Sequence, residues 1–516
     1  MLKKGNYTAL WCAVLILAAA VRLPQLSHRP MHTDEAVHAV KFAELLESGS
    51  YRYDSNEYHG PTLNYFTLLP AWLRGQETLT ELDETTLRLV PVFFGLLLVL
   101  LPLLLQPVIG SRSALASGMW IALSAPQVFY SRYYIHEVLF VFFAMLLVGA
   151  SMRYFRTRHW AWSVTAGAAL GFLHASKETD LLIAAAAAGA LATLWLLRRF
   201  KPSCPSWSHA LLFIGTAFLI SSTLFTSFFA NPAGIGDSFR TYTTYMARGA
   251  GESLHLYPWY YYLQLLFFFK PATNPLISEA WLLPFAAIAI LTTLRKGEEN
   301  DSLRFLVLFM FFLALIFSAL PYKTPWNLLV FHYGFLLLAG YGSVRVLQRE
   351  GRKRRWGVVY LFLALAGIGI QSIWLNYFRD SDPVNPWVYA HPGPDLKRVS
   401  DLVESAALSS PHGLDTPVEV VVPGHGYWPL PWTLRRLRQV GWYDQVELQQ
   451  PPGEIILTVP EAEAALVQKL YVQPQPGERH LYAGLWREYA ELRPGVEIRG
   501  YIRAELKNGI NPDLMP

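Results

Sequence analysis

The chain has 516 residues, of which 53% are hydrophobic and only 16% charged, with a mean hydropathy of +0.25. A soluble protein carries roughly a quarter charged residues. The shortfall here is concentrated in long apolar blocks, which excludes an ordinary soluble enzyme and indicates a polytopic membrane protein. The formal net charge of +5 is spread over short loops and gives no nucleic-acid patch, and the two cysteines, Cys12 and Cys204, do not make a disulfide framework.

The chain starts MLKKGNYTALWCAVLILAAAVRL, a charged start followed by an apolar run. The run ends at Arg22-Leu23-Pro24 with no small-x-small cleavage site, so it reads as an uncleaved first helix that sets orientation. Spanning the hydrocarbon takes about 20 apolar residues in a helix. That rule gives about eleven spans: 7–23, 88–109, 114–130, 138–154, 160–175, 181–197, 209–229, 276–294, 303–320, 326–347 and 356–376. A further piece, 61–73, is too short to count, and the aromatic stretch 257–270 reads as an interfacial helix or loop anchor.

With the N-terminus in the cytoplasm, every strongly basic short loop falls on one side. These are Lys3 and Lys4; Arg153, Arg156 and Arg158; the run Arg198, Arg199 and Lys201; Arg295 and Lys296; and the cluster 349–355. The polar stretches then gather on the opposite, external face. They are the first loop 24–87, SRYYIHE at 131–137, SKETD at 176–180, the loop 231–275, PYKTPWN at 321–327 and the tail.

The tail changes composition. LKRVSDLVESAAL and AEAALVQKL have helical spacing, and 418–422 and 454–459 look like short buried strands. The fold class expected is therefore a polytopic α-helical membrane domain over 1–376 and an external or periplasmic soluble α/β domain over 377–516.

Chemistry is concentrated in MHTDEAVHAV at 31–40, where His32, Asp34, Glu35 and His38 fall within seven positions. First-turn acids commonly do no more than favour the positive end of a helix, with Thr33 as a candidate N-cap. Here Asp34 and His38 share a face at i,i+4, and Glu137, Lys177, Glu178 and Lys323 return at external ends of spans. Charges so placed are costly unless paired or facing a cavity. Arg132 or Arg88 pairing with Glu137 and lysines snorkelling to headgroups are the plain alternatives. His32, Asp34 and His38 also offer ligands of the kind Zn, Mn or Mg accept, so a divalent cation is a candidate cofactor.

The order TDEAVH, YHGP (58–61), SRYYIHE, SKET and KTPW is similar to the GT-C superfamily of membrane glycosyltransferases, over nearly all of 1–376. That superfamily includes protein O-mannosyltransferases, the lipid A aminoarabinose transferase and oligosaccharyltransferase catalytic subunits. Within it the motif set resembles a subfamily labelled flippase activity-associated. YHGPTLNY resembles the superfamily's His-Pro-Pro-Leu stretch, with Gly60 in place of its first proline.

The resemblance implies an inverting transfer of a sugar from a polyprenyl-phosphate-linked donor to a protein, lipid or envelope acceptor. Asp34 would be the base, Glu35 its neighbour and Glu137 the second acid. A neighbouring carboxylate raises the base's pKa if both are semi-buried. Lys323 and Lys177 would stabilise the leaving phosphate, with Arg132 and Arg240 in reserve and Glu178 and His59 beside them. The aromatic run 256–269 would line a lipid groove or form an interfacial belt. PGHGYWPLPW at 423–432 is either a sugar-binding patch or a turn with a packing cluster. The alternatives to an enzyme are a lipid-linked sugar flippase, which should show broken mid-membrane helices, and a non-catalytic scaffold.

Overall fold

Each of the eleven apolar blocks forms helix in the computed structural model, which describes residues 4–507 apart from 57–58, 199–203, 251–254, 272–274, 296–299 and 476–478, with side chains omitted for 4–6 and 246–250. Lys3, Tyr58, Arg199, Lys201 and Lys296 lie outside the described residues, as does the side chain of Lys4. The chain opens with α1 (Lys4–Ala20), α2 (Thr33–Ser48), α3 (Thr62–Leu73) and α4 (Glu84–Leu100).

Among the described residues six helices are long and apolar enough to cross a membrane: Glu84–Ile109, Glu137–Thr157, Trp207–Phe225, Asp301–Ala319, Pro325–Leu347 and Gly351–Phe378. Tyr7–Ala20, Asp180–Leu196 and Ala280–Leu294 are shorter apolar helices. The block expected at 114–130 is broken into Ser111–Leu123 and Ala125–Tyr130 by an extended Ser124. Pro126 then sits in the first turn of the second piece, where its missing N–H costs nothing.

Two elements depart from the sequence reading. The piece at 61–73 becomes α3, whose exposed Leu69, Trp72 and Leu73 suit a lipid–water boundary. The external loop expected over 231–275 contains a 17-residue helix, Gly234–Ala250, while the short helix Tyr261–Phe267 falls within the aromatic stretch 257–270 read as an interfacial helix or loop anchor.

Helix Pro325–Leu347 is the centre of the bundle, with 89% of its apolar window buried, against 22% for Trp207–Phe225 and Gly351–Phe378 at the rim. Small residues allow the close central contacts. A Cβ at Gly342 would lie 1.9 Å from the carbonyl oxygen of Phe285, so only glycine permits that helix pair to touch.

The tail forms a second core around a mixed sheet. Its strands are β1 (Val418–Val421), β2 (Val440–Tyr443), β3 (Ile455–Thr458), β4 (Tyr482–Gly484), β5 (Glu491–Arg493), β6 (Val496–Glu497) and β7 (Arg499–Arg503). The main sheet runs β2-β1-β3-β7-β4, parallel across the first three and antiparallel at β7 and β4, while β5 and β6 make a separate pair. Helix Asp395–Ser409 covers it with Leu396, Val399, Leu402 and Val403.

The strands read from the sequence at 418–422 and 454–459 are β1 and β3, buried along their whole length because helices or neighbouring strands cover both faces. The PGHGYWPLPW stretch docks this unit on the bundle. Leu430 and Trp432 are fully buried, Trp432 Nε1 donates to Glu84 Oε1 at 2.8 Å, and Arg435 donates to the Leu82 carbonyl at 2.9 Å.

Candidate active site

The first turn of α2 is held by local bonds. His32, not Thr33, is the N-cap: its Nδ1 accepts the Asp34 amide at 3.0 Å, and its own amide donates to Glu35 Oε2 at 3.1 Å, closing a capping box. Thr33 already has helical geometry, so its hydroxyl cannot take that place. Because Nδ1 accepts, the His32 proton is on Nε2, which donates to the Tyr389 carbonyl at 3.1 Å. This tautomer joins the start of α2 to a segment 357 positions away.

Asp34 and Glu35 are adjacent but face different surroundings. Glu35 is fully buried, and Arg88 grips it with Nε on Oε1 and an Nη2 bond to Oε2, both at 2.7 Å. The Tyr134 amide adds a third bond at 2.8 Å. Burial pushes the Glu35 pKa up, but the Arg88 and Arg29 guanidiniums and these bonds outweigh it and bring it down to about 2. Arg88 also donates to the Leu26 and Arg29 carbonyls. Glu35 is therefore a neutralised clamp that fixes the loop and α2, which corrects the expectation that its charge acts on Asp34. Asp34 has 44% of its side chain exposed; the nearest basic nitrogen among the described residues is His32 Nδ1 at 3.9 Å, which carries no proton.

The second acid is paired from a third loop. Glu137, at the start of helix Glu137–Thr157, accepts from Lys177 Nζ at 2.6 Å, and Lys177 reaches Asn327 Oδ1 at 3.4 Å. Neither Arg88 nor Arg132 is its partner, because both guanidiniums are used elsewhere. Burial disfavours the Lys177 ammonium, yet Glu137 and Glu178 outweigh it and raise its pKa. Glu178 Oε2 in turn accepts from His59 Nδ1 at 3.0 Å, which also lies 3.0 Å from Tyr245 Oη on helix Gly234–Ala250. Burial raises the Glu178 pKa, but His59 and Lys177 outweigh it and the net shift is downward.

Gly60 explains why YHGP can reach this cluster. A Cβ there would lie 2.2 Å from the Ala175 carbonyl oxygen, so the loop presses on the end of helix Trp160–His174 only as glycine. The Gly60 carbonyl then accepts from His136 Nε2 at 2.9 Å, and the rings of His38, His59 and His136 stand together, His38 to His136 at 4.6 Å between centroids. On the other side of Asp34, the rings of Tyr133, Trp326 and His391 surround His32, and Tyr389 packs on Trp326 at 5.8 Å. Glu137, Lys177, Thr179, Trp326 and Asn327 line a small pocket together with Phe140, Val141, Phe317 and Val330.

The structure thus gathers Asp34, Glu137, Lys177, Glu178, His59, His32 and His38 from four sequence stretches. Lys323 is one loop away, its ammonium bonded to the carbonyls of Tyr257, at 3.1 Å, and Leu320. Its amide donates to the His255 carbonyl at 2.9 Å, so it braces the wall that carries His255 and Tyr257 against Tyr389.

Two expected residues are elsewhere. Arg132 donates to the carbonyls of Asn376, Pro24 and Gln25, which fastens the loop after α1 to the last span. Arg240 is exposed and paired with Asp237 at 3.0 Å. His32 and His38 belong to separate ring clusters, and no group of three His, Cys, Asp or Glu side chains among the described residues is arranged to hold a metal ion. The expected ligand trio His32, Asp34 and His38 therefore does not fit a metal.

His136, Trp326, Asn327, Tyr389 and His391 were not singled out by sequence. His136, Trp326 and Asn327 lie inside the SRYYIHE and PYKTPWN motifs, where His136 beside the acid Glu137 was a usable signal. Nothing local marks Tyr389 or His391.

Residues 13–231 match the family described as dolichyl-phosphate-mannose-protein mannosyltransferase. No curated protein matches the chain. Among solved structures, ArnT from Cupriavidus metallidurans bound to undecaprenyl phosphate aligns over 100% of both chains, with 15% identity and a TM-score of 0.61. The same protein in the apo state gives 0.64 at 15% identity over 98% of this chain and 99% of that one. The oligosaccharyltransferase AglB from Archaeoglobus fulgidus, in complex with an inhibitory peptide and a dolichol-phosphate, gives 0.55 at 13% identity over 89% of this chain and 70% of its own. Identities this low establish a shared fold. Beside that fold stand the family match over residues 13–231 and the apolar helices long enough to cross a membrane.

Proposed function

We propose that the chain transfers a sugar from a polyprenyl-phosphate-linked donor to an acceptor hydroxyl or amide on the non-cytoplasmic face, inverting the anomeric centre. One observation carries this reading. Glu35, Glu137 and Glu178 are each engaged by a basic side chain, whereas Asp34 has no such close partner among the described residues and has 44% of its side chain exposed. A base must be free to take a proton from a solvent-side acceptor, and Asp34 meets that requirement.

In the reaction Asp34 removes the acceptor proton as the acceptor atom bonds to the anomeric carbon. The bond from that carbon to the phosphate oxygen breaks at the same time, and the lipid phosphate leaves with the electron pair. Lys323, whose ammonium has only neutral carbonyl partners among the described residues, is the cation best placed to share its charge with the phosphate. Lys177, tethered to Glu137, and His59 with Glu178 line the approach. Support for the external placement comes from the basic residues Arg153, Arg156 and Arg158 at the far end of helix Glu137–Thr157, opposite the Glu137 end.

The test is transfer by the purified full-length chain from synthetic undecaprenyl-phosphate glycosides to a cell-envelope acceptor fraction. Asp34→Asn should cut turnover by about 10²–10⁴-fold, the usual worth of a general base. Unchanged turnover would remove Asp34 from this role. Donor movement across a bilayer in wild type and Asp34→Asn alike, without transfer, would support the flippase reading instead.

A further inference from the structure

The densest positive run of the chain lies at the end of the bundle opposite Asp34. Residues 349–355, Arg-Glu-Gly-Arg-Lys-Arg-Arg, hold five basic side chains and one acid, a net charge of +4 against +5 for all 516 residues. Arg352, Lys353, Arg354 and Arg355 open helix Gly351–Phe378, whose other end is held at the Asn376 carbonyl by Arg132. All five basic side chains are exposed, and among the described residues no hydrogen bond or ion pair engages any of them.

This arrangement is unfavourable for the fold. Cations at the start of a helix oppose its dipole, and no acid lies in the first turn to offset them. Arg352 and Arg355, three residues apart, are neighbours of like charge. Orientation does not require the run, because Arg153, Arg156 and Arg158 already bias that end. Those three differ in kind, since each donates to a carbonyl, of Leu104, Pro107 and Cys204 in turn.

The surroundings are those of a lipid boundary. Trp356, 61% exposed, follows the run directly, and Val359, Leu363 and Ile370 are exposed after it at helical spacing. Arg352, four residues before Trp356, continues the same stripe. A tryptophan at the end of such a stripe belongs at headgroup level, so the basic run is level with lipid phosphates.

We propose that residues 349–355 form a docking surface for anionic phospholipid headgroups, whose phosphates supply the counter-charge that the chain itself omits. Each basic residue beside a membrane span strengthens binding to an anionic lipid surface about fivefold. The surface is independent of the transfer reaction and of the role of Asp34.

The full-length chain in detergent is titrated with cardiolipin, phosphatidylglycerol and phosphatidylcholine, and bound lipid is counted by native mass spectrometry. Both anionic lipids should bind about 10-fold more tightly than phosphatidylcholine, and added salt should erode that margin. R352Q/K353Q/R354Q/R355Q should reduce the margin to about twofold or less, whereas R352K/R354K/R355K should keep it because the charges remain. R153Q/R156Q/R158Q, altered at the same end, should also keep it. Should the quadruple variant fail to accumulate, R354Q/R355Q should give an intermediate margin, and an unchanged one overturns the proposal.

Equal affinity of the wild type for all three lipids overturns it, as does a full margin in the quadruple variant. A loss in R153Q/R156Q/R158Q as large as in the quadruple variant would reduce the run to bulk charge and overturn it too. Displacement of the bound lipid by soluble glycerol phosphate would overturn the assignment to lipid, because free phosphates would then be the occupant.

Discussion

The two ends of the helical bundle handle charge in opposite ways. At the Asp34 end, Arg88, Lys177, Glu35, Glu137 and Glu178 are buried and engaged with one another or with His59. At the other end Arg156 is exposed, donating to the Pro107 carbonyl at 2.6 Å, Arg153 donates to the Leu104 carbonyl, and Arg352, Lys353 and Arg354 are exposed. A solvated arginine at a membrane boundary reports orientation and costs little. A buried ion pair costs desolvation of both partners and contributes little net stability, so its retention at one end marks chemistry rather than folding.

The largest effect on stability should come from splitting the most buried pair. Arg88→Met leaves the Glu35 carboxylate without its bidentate partner and also removes bonds to the Leu26 and Arg29 carbonyls. Breaking one half of a buried pair costs about 3–5 kcal/mol. Thermal unfolding in detergent should show it, with transfer lost in parallel because α2 no longer holds Asp34. A variant as stable as wild type would mean that Glu35 is hydrated and that the contrast between the ends is false.

Glu137 and Lys177 sharpen the comparison further. Lys177→Met and Glu137→Gln each leave one charge beside a cavity, so each should lower stability by about 2–4 kcal/mol, somewhat less than a fully enclosed pair. The double variant should recover about half of the summed loss, since removing both partners leaves no orphan charge. Strict additivity of the two losses would show that the 2.6 Å contact carries no coupling. Transfer should stay low in the double variant, which separates a stabilising role from a functional one.

How much of this could be read from sequence depends on the distance over which a feature is specified. The eleven apolar blocks, β1 and β3 follow from local composition and periodicity, and the five polar stretches stand out because charges are rare in such a chain. Partner choice is non-local. Glu35 meets Arg88 across 53 positions, Glu137 meets Lys177 across 40, and His59 meets Glu178 across 119. Two adjacent acids, Asp34 and Glu35, therefore looked equivalent until packing placed one on a guanidinium and left the other open. Helix Gly234–Ala250 was missed for another reason. Its polar face breaks every apolar run, although Phe239, Tyr242 and Met246 keep a spacing of three to four residues and were a usable signal.

Acid titration distinguishes the ends by their proton uptake. Glu35 has a folded pKa below its ordinary value, so its contribution is complete above about pH 4.5 and is lost as pH falls toward about 2. His38 is also lowered, to about 3, so the unfolded chain binds its proton first and stability falls as pH drops from about 6.5. The chain should therefore begin to lose stability well above the carboxylate range. His38→Phe should make that fall shallower in thermal melts taken across the series, while His32, His136 and His391, which burial lowers too, hold the onset near pH 6.5. A slope unchanged in the variant would assign the upper step to those other buried imidazoles.

The smallest expected change is at the basic end. Arg156→Gln removes an exposed guanidinium whose single bond, to the Pro107 carbonyl, water can replace. Surface substitutions of this kind stay within about 0.5 kcal/mol, and transfer should be unaltered. Orientation should hold as well, because Arg153, Arg158 and the cluster at 349–355 still bias the same face. Melting and turnover of this variant, measured beside Arg88→Met, set the scale of the whole comparison. Equal losses from the two arginines would mean that burial does not separate the ends, and the case for Asp34 would then rest on its motif alone.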